Sequence, residues 1–173
     1  MYDDKKHFQS VYQQVNAEFS FANRKTLSFA EWQCAFRRRL KQILGLEKME
    51  SDLAGYMPET RLMRIQDKQD YWLERWIIIP EPWVELPFYL LRPKVKDQRL
   101  PLVITPHGHN KPGLYVGDVK SLSDKVSILE GDRDIALQAV RQNYLVIAPT
   151  ARGFGETRFE RDRRKGKLSS CRT

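Results

Sequence analysis

Two short segments combine residue types that could stabilise negative charge in a reaction. The first, Pro106-His107-Gly108-His109-Asn110, follows the apolar run Leu102-Val103-Ile104. The second, residues 150–157, contains Arg152-Gly153-Phe154-Gly155 and follows the apolar run Leu145-Val146-Ile147-Ala148. A His-Gly pair at a strand end lets the backbone turn sharply and direct amide N–H groups at one point, which is what stabilisation of an acyl-transfer oxyanion requires.

The elements around these segments predict that they lie side by side. Residues 100–105 and 144–149 are short, unbroken apolar runs, typical of strands covered on both faces. A helix is expected between them, beginning near Glu130 to Asp134, with Ile135, Ala136, Ala139 and Val140 on its inner face and Asn143 as a left-handed terminator. This order predicts a parallel βαβ unit, whose ligands bind at the carboxyl ends of the strands.

A β-hairpin is predicted ahead of this unit. Residues 71–79 and 84–91 are rich in β-branched and aromatic side chains and flank Pro80-Glu81-Pro82-Trp83. Pro87 cannot donate to a ladder, so the second strand is expected near an edge or with a bulge. The three tryptophans of this region are expected in the core rather than as carbohydrate platforms; they are Trp72, Trp76 and Trp83.

Two amphipathic helices are predicted at the N-terminus. Residues 2–21 carry apolar side chains at the three- and four-residue spacing of one helical stripe. Ser28-Phe29-Ala30-Glu31 is a capping box that starts a second helix, and Gly45 offers a left-handed stop. The fold class is therefore α/β, with a helical extension over residues 1–66 and a hairpin and βαβ unit over residues 67–173.

Residues 70–173 resemble the α/β-hydrolase superfamily, particularly its acetyl xylan esterase and dienelactone-hydrolase-like branches. The resemblance rests on the hairpin, the strand entering His107-Gly108-His109, the helix, the next strand and the turn Arg152-Gly153-x-Gly155. It implies a serine-type carboxylic-ester hydrolase without a cofactor, acting on a small-molecule or carbohydrate ester. Backbone N–H groups at Gly108 or His109 would then supply one half of an oxyanion hole.

The rest of the family's catalytic apparatus has no counterpart in this sequence. The nucleophile normally occupies a G-x-S-x-G elbow, and neither Ser169-Ser170-Cys171 nor any other serine has the flanking glycines. His107 and His109 lie on the oxyanion loop, upstream of any nucleophile, so neither is assigned as the triad base. We expect an N-terminal half of a hydrolase, cut before its elbow and inactive alone.

The family's strand order, 1-2-4-3-5, suggests an alternative from another class. Without a fifth strand, Leu102, Val103 and Ile104 would lie on an open apolar edge, which invites pairing with another chain. We therefore expect self-association or pairing with a C-terminal half through this edge. The alternative function is a non-catalytic interaction module, a split or degenerate hydrolase half.

Charge and composition bound the remaining function classes. The chain has 173 residues, 30 Lys and Arg against 22 Asp and Glu, and a net charge of +8. Five of those eight net positive charges lie between Arg158 and Thr173, where a solvated loop is expected and a nucleic-acid site is the less favoured alternative. Two cysteines, Cys34 and Cys171, and no long apolar run predict a soluble, cytoplasmic protein without a membrane segment.

Other interpretations remain open for the residues of the two segments. His107 and His109 could bind a metal ion with Asp118 or Asp124, although the spacing matches no known site. Arg152 could contact an anionic substrate, but pairing with a local carboxylate that orders the turn is the favoured interpretation. Gly153 and Gly155 are expected to supply backbone conformations that side-chain-bearing residues avoid.

Overall fold

The computed structural model describes residues 2–15, 18–24, 27–95, 99–167 and 169–170. Its contacts divide the chain into two compact units, Met1–Gly55 and Tyr56–Thr173. Within the described residues, no helix has both the length and the apolar character that a bilayer crossing requires.

The first unit is helical. Its helices are α1 (Asp4–Gln14), α2 (Phe29–Ile43) and α3 (Leu46–Asp52). The capping box is confirmed, because Glu31 N–H donates to Ser28 Oγ while the Glu31 carboxylate accepts from Ser28 N–H at 2.8 Å. Gly45 has φ 67° and separates α2 from α3. The first helix is shorter than predicted, since Val15 is already extended.

Aromatic side chains organise this unit around Trp32. The Trp32 ring stacks on Phe36 with centroids 5.5 Å apart and meets Phe21 edge to face at 5.1 Å. Its indole N–H donates to the Phe19 carbonyl at 3.0 Å. Even so, α1, α2 and α3 contain no fully buried side chain.

The second unit is built on a five-stranded sheet. Its strands are β1 (Glu59–Asp67), β2 (Tyr71–Glu81), β3 (Val84–Pro93), β4 (Leu102–Ile104) and β5 (Leu145–Pro149), in the order β1-β2-β3-β5-β4. The pairs β1–β2, β2–β3 and β3–β5 are antiparallel, and β4–β5 is parallel. The predicted hairpin and parallel unit are confirmed, and β4 ends the sheet.

Two expectations about the sheet are corrected. Strand β1 lies largely within residues assigned to a helical extension, because the adjacent apolar residues Leu62 and Met63, at a register shift, interrupt the alternation that would indicate a strand. Strand β3 is interior rather than an edge strand. Pro87 is accommodated because its carbonyl accepts from Thr150 N–H at 2.9 Å, beyond the last β3–β5 pair, Phe88 with Pro149. The backbone N–H that Pro87 lacks would therefore lie just beyond the last β3–β5 pair, where the ladder has already ended.

Three helices connect β4 to β5: α4 (Pro112–Tyr115), α5 (Leu122–Gly131) and α6 (Ile135–Arg141). The helix expected to begin near Glu130 to Asp134 is α6, which follows its N-cap Asp134 and buries Ala136 and Val140. What the sequence did not predict is α5, which contains Glu130 and ends at Gly131. Asp132 has φ 48° and breaks the chain between the two helices. Asn143, with φ 63°, ends the connection as predicted.

The two faces of the sheet differ in cover. On one face, Leu73, Leu91, Val146 and Ala148 pack with Val116 and α6 to form the buried core. On the other face, Leu102 and Ile104 are 53% and 60% exposed. The expectation that β4 is covered on both faces is therefore wrong.

Two further expectations are corrected outside the sheet. Trp83 is fully exposed with φ 67° at the β2–β3 turn, so it is not a core residue. The basic segment is a loop only in part, because Glu160–Arg164 forms helix α7, although its arginine side chains are exposed. Residues 168 and 171–173 of this segment lie outside the described residues. Buried Asp162 holds the tail through Lys167, whose Nζ lies 3.0 Å from the carboxylate.

Candidate functional site

The two segments predicted to carry chemistry meet at the carboxyl ends of β4 and β5. Thr105 N–H donates to the Ile147 carbonyl at 2.9 Å, which continues the parallel pairing by one residue. The chain then leaves the sheet as an irregular loop over residues 106–111. Ala151, just after β5, donates its N–H to His107 Nε2 at 3.1 Å. This bond joins the His-Gly-His loop to the Arg152 turn.

The contacts of His107 fix its tautomer. Because Nε2 accepts the Ala151 N–H, the ring's proton resides on Nδ1, which donates to the Gly108 carbonyl at 2.6 Å. Both ring nitrogens are thus used in holding the backbone of the two loops. His107 therefore links the backbones of the two loops.

Phe154 completes the contact between the loops. Its ring lies 5.3 Å from the imidazoles of both His107 and His109, edge to face in each case. The turn that presents it requires two left-handed residues, Gly153 with φ 77° and Gly155 with φ 49°. A Cβ on Gly155 would lie 3.0 Å from Pro112 Cγ, so this glycine also permits close approach to α4.

The amide of Gly108 already has a partner. Its N–H donates to Tyr115 Oη at 3.1 Å, which places a hydroxyl oxygen where an acceptor can be bound. Gly108 does not have a positive φ, so the loop does not need a glycine there for a left-handed conformation. A Cβ there would meet Tyr115 Oη at 3.9 Å, an ordinary contact distance.

The two arginines beside the turn form ion pairs with carboxylates from distant parts of the chain. Arg152 bonds to Glu81 at the end of β2, and Arg75 of β2 bonds to Glu156 of the turn. Arg152 therefore pairs with a carboxylate, as expected, but the partner is not local, because Glu81 is 71 residues away in sequence. These two ion pairs connect the Arg152 turn to strand β2 of the hairpin.

Comparison with known proteins identifies the fold around these loops. A family model described as the Abhydrolase family matches residues 6–165. The chain belongs to this family. No curated protein matches it.

A solved structure supports the same Abhydrolase fold. The crystal structure of a candidate acetyl xylan esterase from Bacteroides fragilis NCTC 9343 matches 97% of this chain with a TM-score of 0.70 and 17% sequence identity. The chain spans 42% of that protein's length. This likeness concerns the fold alone.

Ser170 of this Abhydrolase-family chain lies close to the turn but serves the packing of the tail. Its N–H donates to the Gly153 carbonyl at 2.7 Å, and its Oγ accepts the Phe159 N–H at 3.0 Å. Hydrogen bonds from Lys167 and then Ser170 lower the pKa of Asp162. Cys171 lies outside the described residues.

The carboxylates considered as metal ligands are held by lysines. Asp124 accepts from Lys111 Nζ at 2.8 Å, and this bond is the main reason its pKa is lowered. Asp118 lies 3.4 Å from Lys120 Nζ. Within the part of the chain that the structure describes, no three His, Cys, Asp or Glu side chains form a group suited to a metal ion.

Sequence reasoning missed two residues that shape the site. Tyr115 stands at the end of α4, and Lys111-Pro112, a proline at a first helical position, was the available signal for that helix. Thr157 closes the turn, since its Oγ1 accepts from Phe154 N–H at 3.2 Å and donates to the Ala151 carbonyl at 2.8 Å.

Proposed function

We propose that these residues form the N-terminal half of an esterase-type α/β-hydrolase and carry one donor of its oxyanion hole. The donor is Gly108 N–H. The nucleophilic serine, the acid, the base and the second oxyanion donor come from residues outside this sequence. The complete protein cleaves carboxylic esters through a serine acyl-enzyme.

One observation carries the proposal: the His107–His109 loop and the Arg152–Gly155 turn are in contact at the carboxyl ends of two parallel strands. The Ala151–His107 hydrogen bond and the two Phe154 ring contacts hold the loop that carries the backbone N–H donors. Preorganised donors stabilise developing charge because they need no reorganisation during the reaction. The family match and the esterase-like fold support the same assignment.

The Gly108–Tyr115 bond suggests how the donor would be used. When a serine oxygen attacks the ester carbonyl, the carbonyl oxygen becomes a tetrahedral oxyanion. In this proposal that oxygen replaces Tyr115 Oη as the acceptor of the Gly108 N–H. A charged acceptor is favoured over a neutral hydroxyl, since charge-assisted hydrogen bonds are roughly twice as strong.

The experiment compares two proteins in p-nitrophenyl acetate hydrolysis and in labelling by a fluorophosphonate serine probe. One is the 173-residue chain, and the other is the product of the complete reading frame that contains it. We expect background hydrolysis and no label for the first, and turnover with one labelled serine for the second. Equal serine-dependent turnover by both would contradict the missing-nucleophile account, and no turnover by either would contradict the esterase.

A second candidate function is a non-catalytic module that binds a separately encoded hydrolase half. The uncovered face of the sheet at its β4 edge favours this function. An apolar hollow of about 310 Å³ lies there, beside exposed Ile104. The hollow is lined by Ile78, Leu86, Pro87, Phe88, Ile104, Ile147, Pro149 and Thr150. A complete reading frame that stops at Thr173 and yields an inactive protein would favour this module over the esterase.

A further inference from the structure

A polar cavity on the helix side of the sheet gathers positive charge. It has a volume of about 270 Å³ and is lined by Arg64, Gln66, Leu73, Arg75, Tyr89, Asp118 and Lys120. Three of these side chains are cations and one is a carboxylate. All seven belong to the second unit, and none is in the oxyanion loop or the Arg152 turn.

The strand register explains how the charges come together. Arg64 of β1 lies directly opposite Arg75 of β2, and Arg75 lies directly opposite Tyr89 of β3. Like charges in directly opposite positions destabilise a sheet. The opposite placement of Arg64 and Arg75 therefore has an energetic cost that a bound anion would offset.

The existing ion pairs leave part of this charge unmatched. Arg75 uses Nη2 on Glu156, and its guanidinium lies 4.3 Å above the Tyr89 ring. Lys120 is balanced by Asp118. The side chain of Arg64 has neither an ion pair nor a hydrogen bond with any described residue, and its five N–H donors remain available.

We propose that this cavity binds a small oxyanion, a carboxylate or a phosphate, with the Arg64 guanidinium as its principal ligand. Its volume lies below the roughly 300–1,000 Å³ typical of pockets for drug-sized molecules, which restricts the ligand to a small one. Tyr89 and Gln66 add neutral donors. The Tyr89 hydroxyl is protonated at neutral pH, as an ordinary tyrosine is, and burial raises its pKa further. This site is independent of the proposed esterase activity.

The test is calorimetric titration of the chain with sodium phosphate and, separately, sodium succinate, at constant ionic strength against sodium chloride. Arg64→Gln is the informative variant, because Arg64 is exposed and its side chain makes no bond that folding depends on. The matched control is Arg61→Gln on the same strand, where Arg61 bonds to Glu85 at 2.7 Å outside the cavity.

We expect saturable binding of at least one anion, weakened about tenfold or more by Arg64→Gln and unchanged by Arg61→Gln, as the loss of a charge-assisted hydrogen bond predicts. Binding of phosphate alone or of succinate alone supports the site and identifies its ligand class. Binding of neither anion beyond chloride overturns the proposal. Equal weakening by the two variants also overturns it, because it would show attraction by overall charge.

Discussion

The two faces of the sheet in the second unit share their strands but differ in what covers them. Leu91 and Val146 are fully buried on the face against α6, whereas Leu102 and Ile104 on the other face are more than half exposed. Adjacent positions of one strand, such as Val146 and Ile147, therefore experience different surroundings. The difference shows that helices cover one face of the sheet, whereas the described residues leave the apolar side chains of β4 exposed on the other. In the proposed half-hydrolase, further polypeptide would cover that second face.

The largest effect is expected on the covered face. Leu91→Ala removes a side chain with 0% exposure and should lower the free energy of unfolding by about 2–5 kcal/mol, the range for cavities left by buried leucine. Leu102→Ala, the matched change on the other face, should cost below about 1 kcal/mol, since its side chain is already hydrated. Urea unfolding measures both. Equal losses would refute the contrast between the faces.

The second effect concerns the turn that packs against the helix layer. Gly155→Ala combines a left-handed backbone with a Cβ 3.0 Å from Pro112. We expect it to lower the free energy of unfolding, measured by thermal unfolding, by about 2 kcal/mol. Gly153→Ala is the control in the same turn. Its φ is also positive, but its Cβ would have Ser170 at an ordinary 3.8 Å, so the loss should be smaller. A larger loss at Gly153 would contradict the close packing assigned to Gly155.

The third effect is a pH dependence within the helix layer. Lys111 holds the pKa of buried Asp124 below its usual value, so the ionised carboxylate stabilises the fold above the unfolded-state pKa of about 3.9. That contribution is lost as the pH falls through the folded-state pKa. Asp124→Asn should therefore flatten the acid limb of a stability-against-pH curve.

Asp132→Asn provides the control for this pH effect. Asp132 is exposed and accepts a hydrogen bond from the neutral Gln138 amide, and asparagine tolerates its left-handed backbone. The variant should retain the wild-type acid limb. An Asp124→Asn curve as steep as the wild type would show that the Lys111 pair does not contribute.

The smallest effect on stability is expected at the edge strand. Ile104→Lys should change the free energy of unfolding by about 0.5 kcal/mol or less, because Ile104 is 60% exposed. It should, however, reduce self-association in sedimentation velocity, since a charged side chain on an edge strand opposes pairing with another chain. Leu129→Lys, at an 83% exposed position of α5, should leave association unchanged. Equal effects of the two variants would argue against a specific edge.

The sequence predicted the elements with regular local signals. The capping box at Ser28 and the left-handed Gly45 and Asn143 depend on neighbouring residues, so they could be identified without tertiary information. The parallel β4–β5 pair followed from two apolar runs separated by a helical pattern. The missed elements lack such signals: β1 interrupts its alternation with adjacent apolar residues, and the tail helix α7 has five residues, all charged.

The candidate site was only partly accessible to the same reasoning. Residue types at strand ends predicted where His107–His109 and Arg152–Gly155 would lie, because topology places those ends together. The Tyr115 hydroxyl on Gly108 and the Phe154 contact with both imidazoles depend on side-chain packing between separate loops. The arginine pair in the cavity likewise depends on the register of a strand that sequence analysis did not find.

The most direct measurement is kcat for ester hydrolysis by the product of the complete reading frame carrying Gly108→Pro or Gly108→Ala. Proline removes the N–H, whereas alanine keeps it and has 3.9 Å of clearance to Tyr115 Oη. Thermal melting first verifies that both variants fold. We then predict a kcat about 10²–10³-fold lower for the proline variant than for the alanine variant, the typical effect of losing one oxyanion donor. Equal kcat values would contradict the assignment of Gly108 N–H to the oxyanion hole.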